Sequence, residues 1–292
     1  MSATSRGFAI NTKYIFETGQ TLSAWAEVRF VACQVTADPL ADFITQRRTD
    51  RRIYQGGELD EVIRQKLSEI EDEFPGCKIR IQATRSQTFM QYFLKTEELL
   101  WKNSKIVRDL CKWLRLTKRE AQSRDGMTAQ SIGLNRIESL IFRLIRKMPI
   151  LPRLLWSLGF GFKIRSNAEK AIESSAALLC FVSRSMDPVS LCRLGQCAYR
   201  AWLILNSHGF GVQPLSFSSS SVADQRSGAM IGQSNLEEQK VFTDGKKVLN
   251  DYFNLTDDDY PVWMFRTGLS PQTADMPVPR LSVQDVLLAK DF

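Results

Sequence analysis

Apolar residues recurring at period two and at period 3.6 divide the chain into strands and helices. Residues 1–26 are polar and weakly patterned, whereas 27–35 (EVRFVACQV) is rich in β-branched and aromatic side chains and reads as a strand. A short helix is predicted over 40–45, after Asp38-Pro39. An extended piece at Ile53-Tyr54 and a turn at Gly56-Gly57 follow. Over 58–73, Leu59, Val62, Ile63, Leu67 and Ile70 recur at helical spacing and acidic residues crowd the first turn, which predicts a helix ended by Pro75-Gly76. Residues 78–84 set Ile79, Ile81 and Ala83 on one side of a strand.

A helical stretch is predicted over 87–121 with a break near Asn103-Ser104, then a turn at Asp125-Gly126. Residues 134–147 form another helix, with Ile137, Leu140, Ile141, Leu144 and Ile145 on one face and Pro149 and Pro152 as stops. The unbroken apolar run 176–183 predicts a strand buried on both faces. Asp187 caps a long helix to Ser207 whose stripe is Leu191, Leu194, Ala198, Ala201, Trp202 and Leu205. After Gly209 and Gly211, 212–217 is strand-like and 216–235 reads as a Ser/Gly loop. A helix over 236–253, an acidic turn at 257–259, a strand over 261–267, an extended Pro-rich tail and a short helix from Ser282 complete the chain. About five strands alternate with six or seven helices and no repeat period is visible. The fold class predicted is α+β, a mixed sheet flanked by helices.

Charge alters this picture in one place. The chain carries a net charge of +7, yet 101–170 alone holds 16 Lys/Arg against 5 Asp/Glu, so the remainder is net acidic. Trp101, Leu110, Trp113 and Leu114 interleave there with Lys105, Arg108, Lys112 and Arg115, an amphipathic pattern suited to a solvated helical face, a lipid interface or a cover over a neighbouring site. No zinc-finger, RNP, KH or heptad pattern accompanies it, so a nucleic-acid partner is not expected. No apolar run is long enough for a spanning helix and the opening residues do not form a signal peptide. Six scattered cysteines without a CxxC match a reduced, cytoplasmic protein. His208 is the single histidine; without a G-x-S-x-G elbow it reads as a helix-terminal polar residue, and no metal site is expected.

Three motifs carry candidate chemistry. Arg47-Arg48-Thr49-Asp50-Arg51-Arg52 sets four guanidinium forks and a hydroxyl just before a turn and a helix, donors that match the oxygens of a phosphate monoester. Phe265-Arg266-Thr267-Gly268-Leu269-Ser270-Pro271, followed by Pro277-Val278-Pro279-Arg280, leads a strand through a turn into an arm that ends on an arginine able to close on the same phosphate. Ser207-His208-Gly209-Phe210-Gly211 places two glycines where backbone can approach a flat ring, or where a helix C-cap meets a turn.

In this order, with the Asp125-Gly126-Met127 turn and Gly195 inside the long helix, the motifs resemble the nitroreductase-like FMN flavoproteins from about Trp25 onward. The likeness is to the divergent bacterial branch that carries two nitroreductase-like halves, and mainly to the C-terminal half. The resemblance implies flavin mononucleotide between two halves, NAD(P)H as hydride donor, and a nitro or quinone-like small molecule as electron acceptor. It implies that Arg47, Arg48, Thr49, Arg51 and Arg280 hold the flavin phosphate and that Gly209 and Gly211 pass near the flavin; no catalytic residue follows from it. Residues 1–45 are expected to be the remnant of a preceding half and 46–292 one domain, with a helical insertion over about 101–170. The upstream Asn-Gln-Pro-Trp segment of fuller members is absent, so the chain is expected to be a fragment or to rebuild its site as a homodimer. The apolar stretch 148–162 suits a lid on the flavin pocket or a contact with a membrane surface. The competing readings are a catalytically degenerate flavin-binding or dimerisation protein, and a peripheral membrane or RNA-binding module acting through 101–170.

Overall fold

The computed structural model describes residues 7–15, 26–34, 36–83, 86–123, 125–148, 161–227 and 236–271, with Leu151, Gly159, Leu281, Ser282 and Gln284. Pro149, Pro152, the Pro-rich tail from 272 and Arg280 lie outside the described residues, as does most of 148–160. In chain order the elements are β1 (Phe8–Tyr14), β2 (Ala26–Ala32), a 3-10 turn (Pro39–Phe43), α1 (Glu61–Glu73), β3 (Cys77–Gln82), α2 (Gln87–Lys102) and α3 (Ser104–Lys112). Then come β4 (Leu114–Arg115), α4 (Lys118–Ala121), β5 (Met127–Thr128), α5 (Arg136–Lys147), α6 (Gly161–Glu173) and β6 (Ala177–Ser183). The last are α7 (Pro188–Ser207), β7 (Phe210–Pro214), α8 (Ser216–Ser227), α9 (Leu236–Phe253) and β8 (Tyr260–Leu269).

The most apolar run of the chain becomes the central strand. β6 is buried at every position and uses both edges, pairing antiparallel with β3 and with β8. β7 completes a sheet of order β3-β6-β8-β7 whose pairings are all antiparallel. Parallel pairing enters at the edge, where Thr49 bridges to Val212. Because side chains alternate along a strand, Leu179 and Phe181 of β6 join one core with α1 and α7. Leu178, Cys180 and Val182 join another with α2, α6, α8 and α9. Helices on both faces of one sheet give an α+β, three-layer architecture.

The long helices start where their caps dictate. Asp60 accepts from the Ile63 amide at 2.8 Å, and Asp187 caps α7 through the Val189 and Ser190 amides, with Pro188 at the first helical position. The break near Asn103 is a double cap: its amide closes α2 while its side chain receives the Lys105 and Ile106 amides that open α3.

The structure corrects the sequence reading in three places. The weakly patterned start contains β1, which pairs with β2 as an antiparallel ribbon lying largely exposed; Phe8, Ile10 and Tyr14 share one face with Phe30 and Val28 of β2, a short alternation that the sequence reading passed over. The Ser-rich segment expected as a loop from 216 is helix α8, with Ser218, Ser219 and Ser221 buried. Small hydroxyls satisfied by carbonyls, as when Ser218 bonds back to Leu215 at 3.2 Å, let this helix approach β8 closely. Third, the apolar face of α5 is divided: Phe142 and Ile145 join a small separate core with Val107, Cys111 and Leu114, while Ile137, Leu140 and Leu144 are exposed.

One close approach between helices is directly testable. A Cβ at Gly245 of α9 would fall 2.3 Å from a ring carbon of Tyr92 in α2, and the Tyr92 hydroxyl is held by the Ser218 carbonyl at 2.5 Å. Helix propensity favours alanine there by about 1 kcal/mol, but overpacking a fixed ring costs about 1–3 kcal/mol. Gly245→Ala is therefore expected to lower stability, read as a reduced urea midpoint with an unchanged slope.

Candidate functional site

Residues 49–56 run as an extended strap across the end of the sheet. The strap begins on the outer edge of β7, where the Asp50 amide donates to the Val212 carbonyl at 2.9 Å. It finishes beside β8, where Gln55 and Leu269, then Leu269 and Gly56, exchange amide–carbonyl bonds at 3.0 and 2.9 Å. To pass from one strand to the other it must cross the sheet face. It crosses where Gly211 and Gly268 stand opposite each other in register.

Tyr54 fills the groove left by those two glycines. A Cβ at Gly211 would lie 2.9 Å from the Tyr54 ring, and one at Gly268 would lie 2.9 Å from Tyr54 Cβ. Arg266 lies on the other side of the ring, its guanidinium carbon 4.1 Å from the ring centroid. Arg266 is wholly buried, and its charge is met by Gln213 Oε1 at 2.6 Å, the Ala171 carbonyl at 3.0 Å and the Arg52 carbonyl at 2.8 Å. Burial pushes the Tyr54 pKa up, which keeps its hydroxyl protonated; it also pushes the Arg266 pKa down, a cost that the three hydrogen bonds to its guanidinium offset.

The strap also binds the start of the C-terminal arm. Arg52 donates from Nε and Nη2 to the two oxygens of Asp50 at 2.8 and 2.6 Å, and from Nη1 to the Pro271 carbonyl at 3.2 Å. The Ser270 hydroxyl donates to Asp50 and accepts from Arg52 at 2.9 Å. Burial opposes ionisation of Asp50, but the bonds from Arg52, from Ser270 and from the Arg52 amide outweigh it and hold the carboxyl at about 2. The first and second sequence motifs, some 220 residues apart, thus meet through an ion pair and a hydroxyl.

The candidate residues from the sequence are placed unequally by this arrangement. Thr49 is the bridge to β7 and Arg48 beside it is half-buried. Arg47 stacks on Trp202 and Tyr199 of α7, 4.4 and 5.3 Å from the ring centroids. Arg51 is partly covered, and that burial lowers its pKa without a carboxylate among the charges acting on it. The space over Gly211 belongs to Tyr54 and Asp50, while Gly209, at φ +79°, ends α7 with nothing within 4 Å of a Cβ placed there. Arg280 lies outside the described residues. His208 is a helix-terminal residue: Nδ1 donates to the Ile204 carbonyl at 2.9 Å and Nε2 accepts from Lys66 at 3.2 Å. The residues that sequence reasoning did not assign are Asp50, Arg52, Tyr54, Arg266 and Ser270. Their signal lay in the two motifs themselves, as a carboxylate inside an arginine run and an arginine inside an apolar strand.

A separate shallow cleft opens between Gln82, Ser86, Phe89, Ile172, Leu178 and Tyr252, on the same face of the sheet as the strap's glycine groove. Among the described residues no cluster of His, Cys, Asp or Glu could hold a metal ion, and no helix is long and apolar enough to cross a membrane.

No family model and no curated protein matches the chain. Among solved structures it is similar to the FMN- and NADPH-dependent nitroreductase NfnB from sphigopyxis sp. strain HMH, at a TM-score of 0.45 and 15 % identity over 87 % of this chain and 99 % of that one. It is also similar to a nitroreductase with bound FMN from Bacteroides fragilis NCTC 9343, at 0.46 and 6 % over 87 % and 100 % of the two chains. A further similar structure is a nitroreductase with bound FMN from Desulfitobacterium hafniense DCB-2, at 0.47 and 8 % over 88 % and 100 %.

The strap's ion pair has a defined pH dependence. The Asp50 carboxyl titrates near 3.8 when unfolded and near 2 when folded, so its stabilisation is complete above about 4 and is lost as pH falls toward 2. Asp50→Asn is expected to cost about 2 kcal/mol at pH 7 and progressively less below pH 4, measured by urea unfolding at both ends of that window.

Proposed function

We propose that this chain is an FMN-dependent oxidoreductase of the nitroreductase type, and that the strap is its phosphate anchor. The observation that carries this reading is the charge balance of the strap. Four arginines stand in 47–52 with one carboxylate, and that carboxylate is committed to Arg52. Arg51 is partly desolvated with no carboxylate to offset it, which is the condition under which a phosphate dianion binds most favourably.

The residues fit the two ends of the cofactor differently. Arg48, Thr49 and Arg51 fit its phosphate: two charged forks and a hydroxyl on one short extended segment. The glycine groove does not fit its ring, because Tyr54 and Asp50 fill the space that a ring would enter. The flavin ring would therefore rest outside that groove, against a second copy of the chain or an upstream half. The bound flavin would supply the hydride and electron transfer, with NAD(P)H as donor and a nitro or quinone-like compound as acceptor.

The chain's own residues would act by position and charge. Arg48 and Arg51 bind phosphate oxygens, and the Thr49 hydroxyl adds a donor. Asp50 keeps the Arg52 fork turned to the C-terminal arm, so Arg52 ties the arm down instead of competing for the phosphate. Buried Arg266 adds positive potential behind the strap without leaving the core. A second reading, a flavin-binding or dimerisation protein without turnover, is favoured by one observation, the occupation of the glycine groove by Tyr54.

Purified protein titrated with FMN and with riboflavin, followed by flavin fluorescence, tests the anchor. FMN is expected to bind more tightly. Each charge-assisted contact is worth about 1.5–3 kcal/mol, so Arg48→Ala and Arg51→Ala should each weaken FMN roughly tenfold or more and leave riboflavin unchanged. Equal affinity for the two flavins would sink the phosphate assignment. Oxidation of NAD(P)H by the FMN-loaded protein with a nitroaromatic acceptor then separates the enzyme from the non-catalytic reading.

A further inference from the structure

The segment holding α3, β4, α4, β5 and α5 has its own small core and needs only one face of α5 to build it. Phe142 and Ile145 enter that core, with Ile141 partly covered beside them. A second apolar row points away from it: Ile137 is 71 % exposed, Leu140 53 %, Leu144 43 % and Met148, just past the helix end, 50 %. At 3.6 residues per turn these four positions fall within an arc of about 80° and extend over roughly 16 Å. Scattered exposed apolar residues need no explanation, but a straight row along one helix does.

The margin of that row is basic. Arg136, Arg143 and Lys147 lie on its solvent side within about 60° of Leu140, and all three are exposed. The ion pairs described for α5 use other residues: Arg146 pairs with Glu120 at 2.6 Å, and Glu138 pairs with Lys163 at 2.6 Å. The three cations at the margin have no carboxylate partner among those ion pairs. The surrounding segment 101–170 carries 16 Lys/Arg against 5 Asp/Glu, and the sequence that follows α5 (MPILPRLLWSLGF) continues apolar with one arginine.

We propose that the outer face of α5 docks on an anionic lipid surface. An apolar row with cations along its margin lets the row enter the acyl boundary while the cations remain among anionic headgroups. Each such cation is drawn to an anionic surface, and salt screens most of that attraction. The same face of a second copy is the wrong partner, because it would bring an equally cationic segment against it. Nucleic acid would satisfy the cations and leave the apolar row in water. The lipid surface satisfies both features and places the protein at the membrane periphery, independently of any flavin.

Co-sedimentation of the full chain with vesicles tests this. Vesicles of phosphatidylcholine with 30 % phosphatidylglycerol are expected to bind the protein, with at least tenfold weaker binding to pure phosphatidylcholine and a marked loss in 0.5 M NaCl. Leu140→Asp combined with Leu144→Asp should abolish binding to anionic vesicles, and Arg136→Glu, Arg143→Glu and Lys147→Glu together should do the same. Both sets lie on exposed positions, and circular dichroism with an unchanged urea midpoint identifies a folded variant. Three results would overturn the proposal: no binding to anionic vesicles, equal binding to neutral and anionic vesicles, or full binding retained by either folded variant. A dimer in solution that the Leu140→Asp, Leu144→Asp variant dissolves, with no vesicle binding by the parent chain, would also overturn it and assign the face to self-association.

Discussion

A single aromatic ring decides how the two ends of this chain are joined. Tyr54 can cross the sheet only because Gly211 and Gly268 face each other in register and leave no Cβ in its path. Once there, it covers Arg266, whose guanidinium makes no ion pair among the described residues but is satisfied by two carbonyls and a glutamine. An arginine buried in this way is costly unless its donors are met and water is kept out. The ring keeps water out, the Arg52 carbonyl beside it meets one donor, and both come from the strap. The strap and the buried charge thus require each other.

This dependence gives the arginine run two functions that its sequence does not separate. Arg52, held by Asp50 and Ser270, is structural and holds the arm at Pro271. Arg47 is placed by aromatic stacking on α7. Arg48 and Arg51 are the residues to which the proposed phosphate anchor is assigned, and Thr49 sits between them, bridged to Val212. Asp50 thus divides the cluster, turning Arg52 into a latch on the C-terminal arm and leaving the rest of the run outside that ion pair.

Much of the layered fold was legible because burial leaves periodic traces. The run at 176–183, the stripe of α7 and the apolar spacing of α1 correspond closely to elements whose side chains enter the two cores. β1 was passed over for a different reason: its alternation of Phe8, Ile10 and Tyr14 with Ala9, Asn11 and Lys13 is brief and sits in an otherwise polar stretch. α8 was illegible because buried serines carry the composition of a loop while doing the packing of alanines. At the site, the two motifs were expected to converge through Arg280, but the contacts that join them in the structure, Asp50 and Arg52 with Ser270 and Pro271, were not. Register between β7 and β8, which sets Gly211 opposite Gly268, is a property of paired strands and leaves no local signature. Nor could residue type alone show that one of four arginines would be taken by the neighbouring carboxylate.

The strap's position also orders events in time. Its docking groove does not exist until β7 and β8 have paired, and its last partner, Pro271, lies 219 residues beyond Arg52. Closing so long a loop costs about 3 kcal/mol more in chain entropy than closing one of about ten residues, so little holds the strap in place before the sheet is built. During synthesis from the N-terminus, the arginine run emerges early and remains without a seat until β8 has followed it from the ribosome. Through that interval it is a bare cationic segment. The strap takes its final place only when nearly all of the described chain is complete.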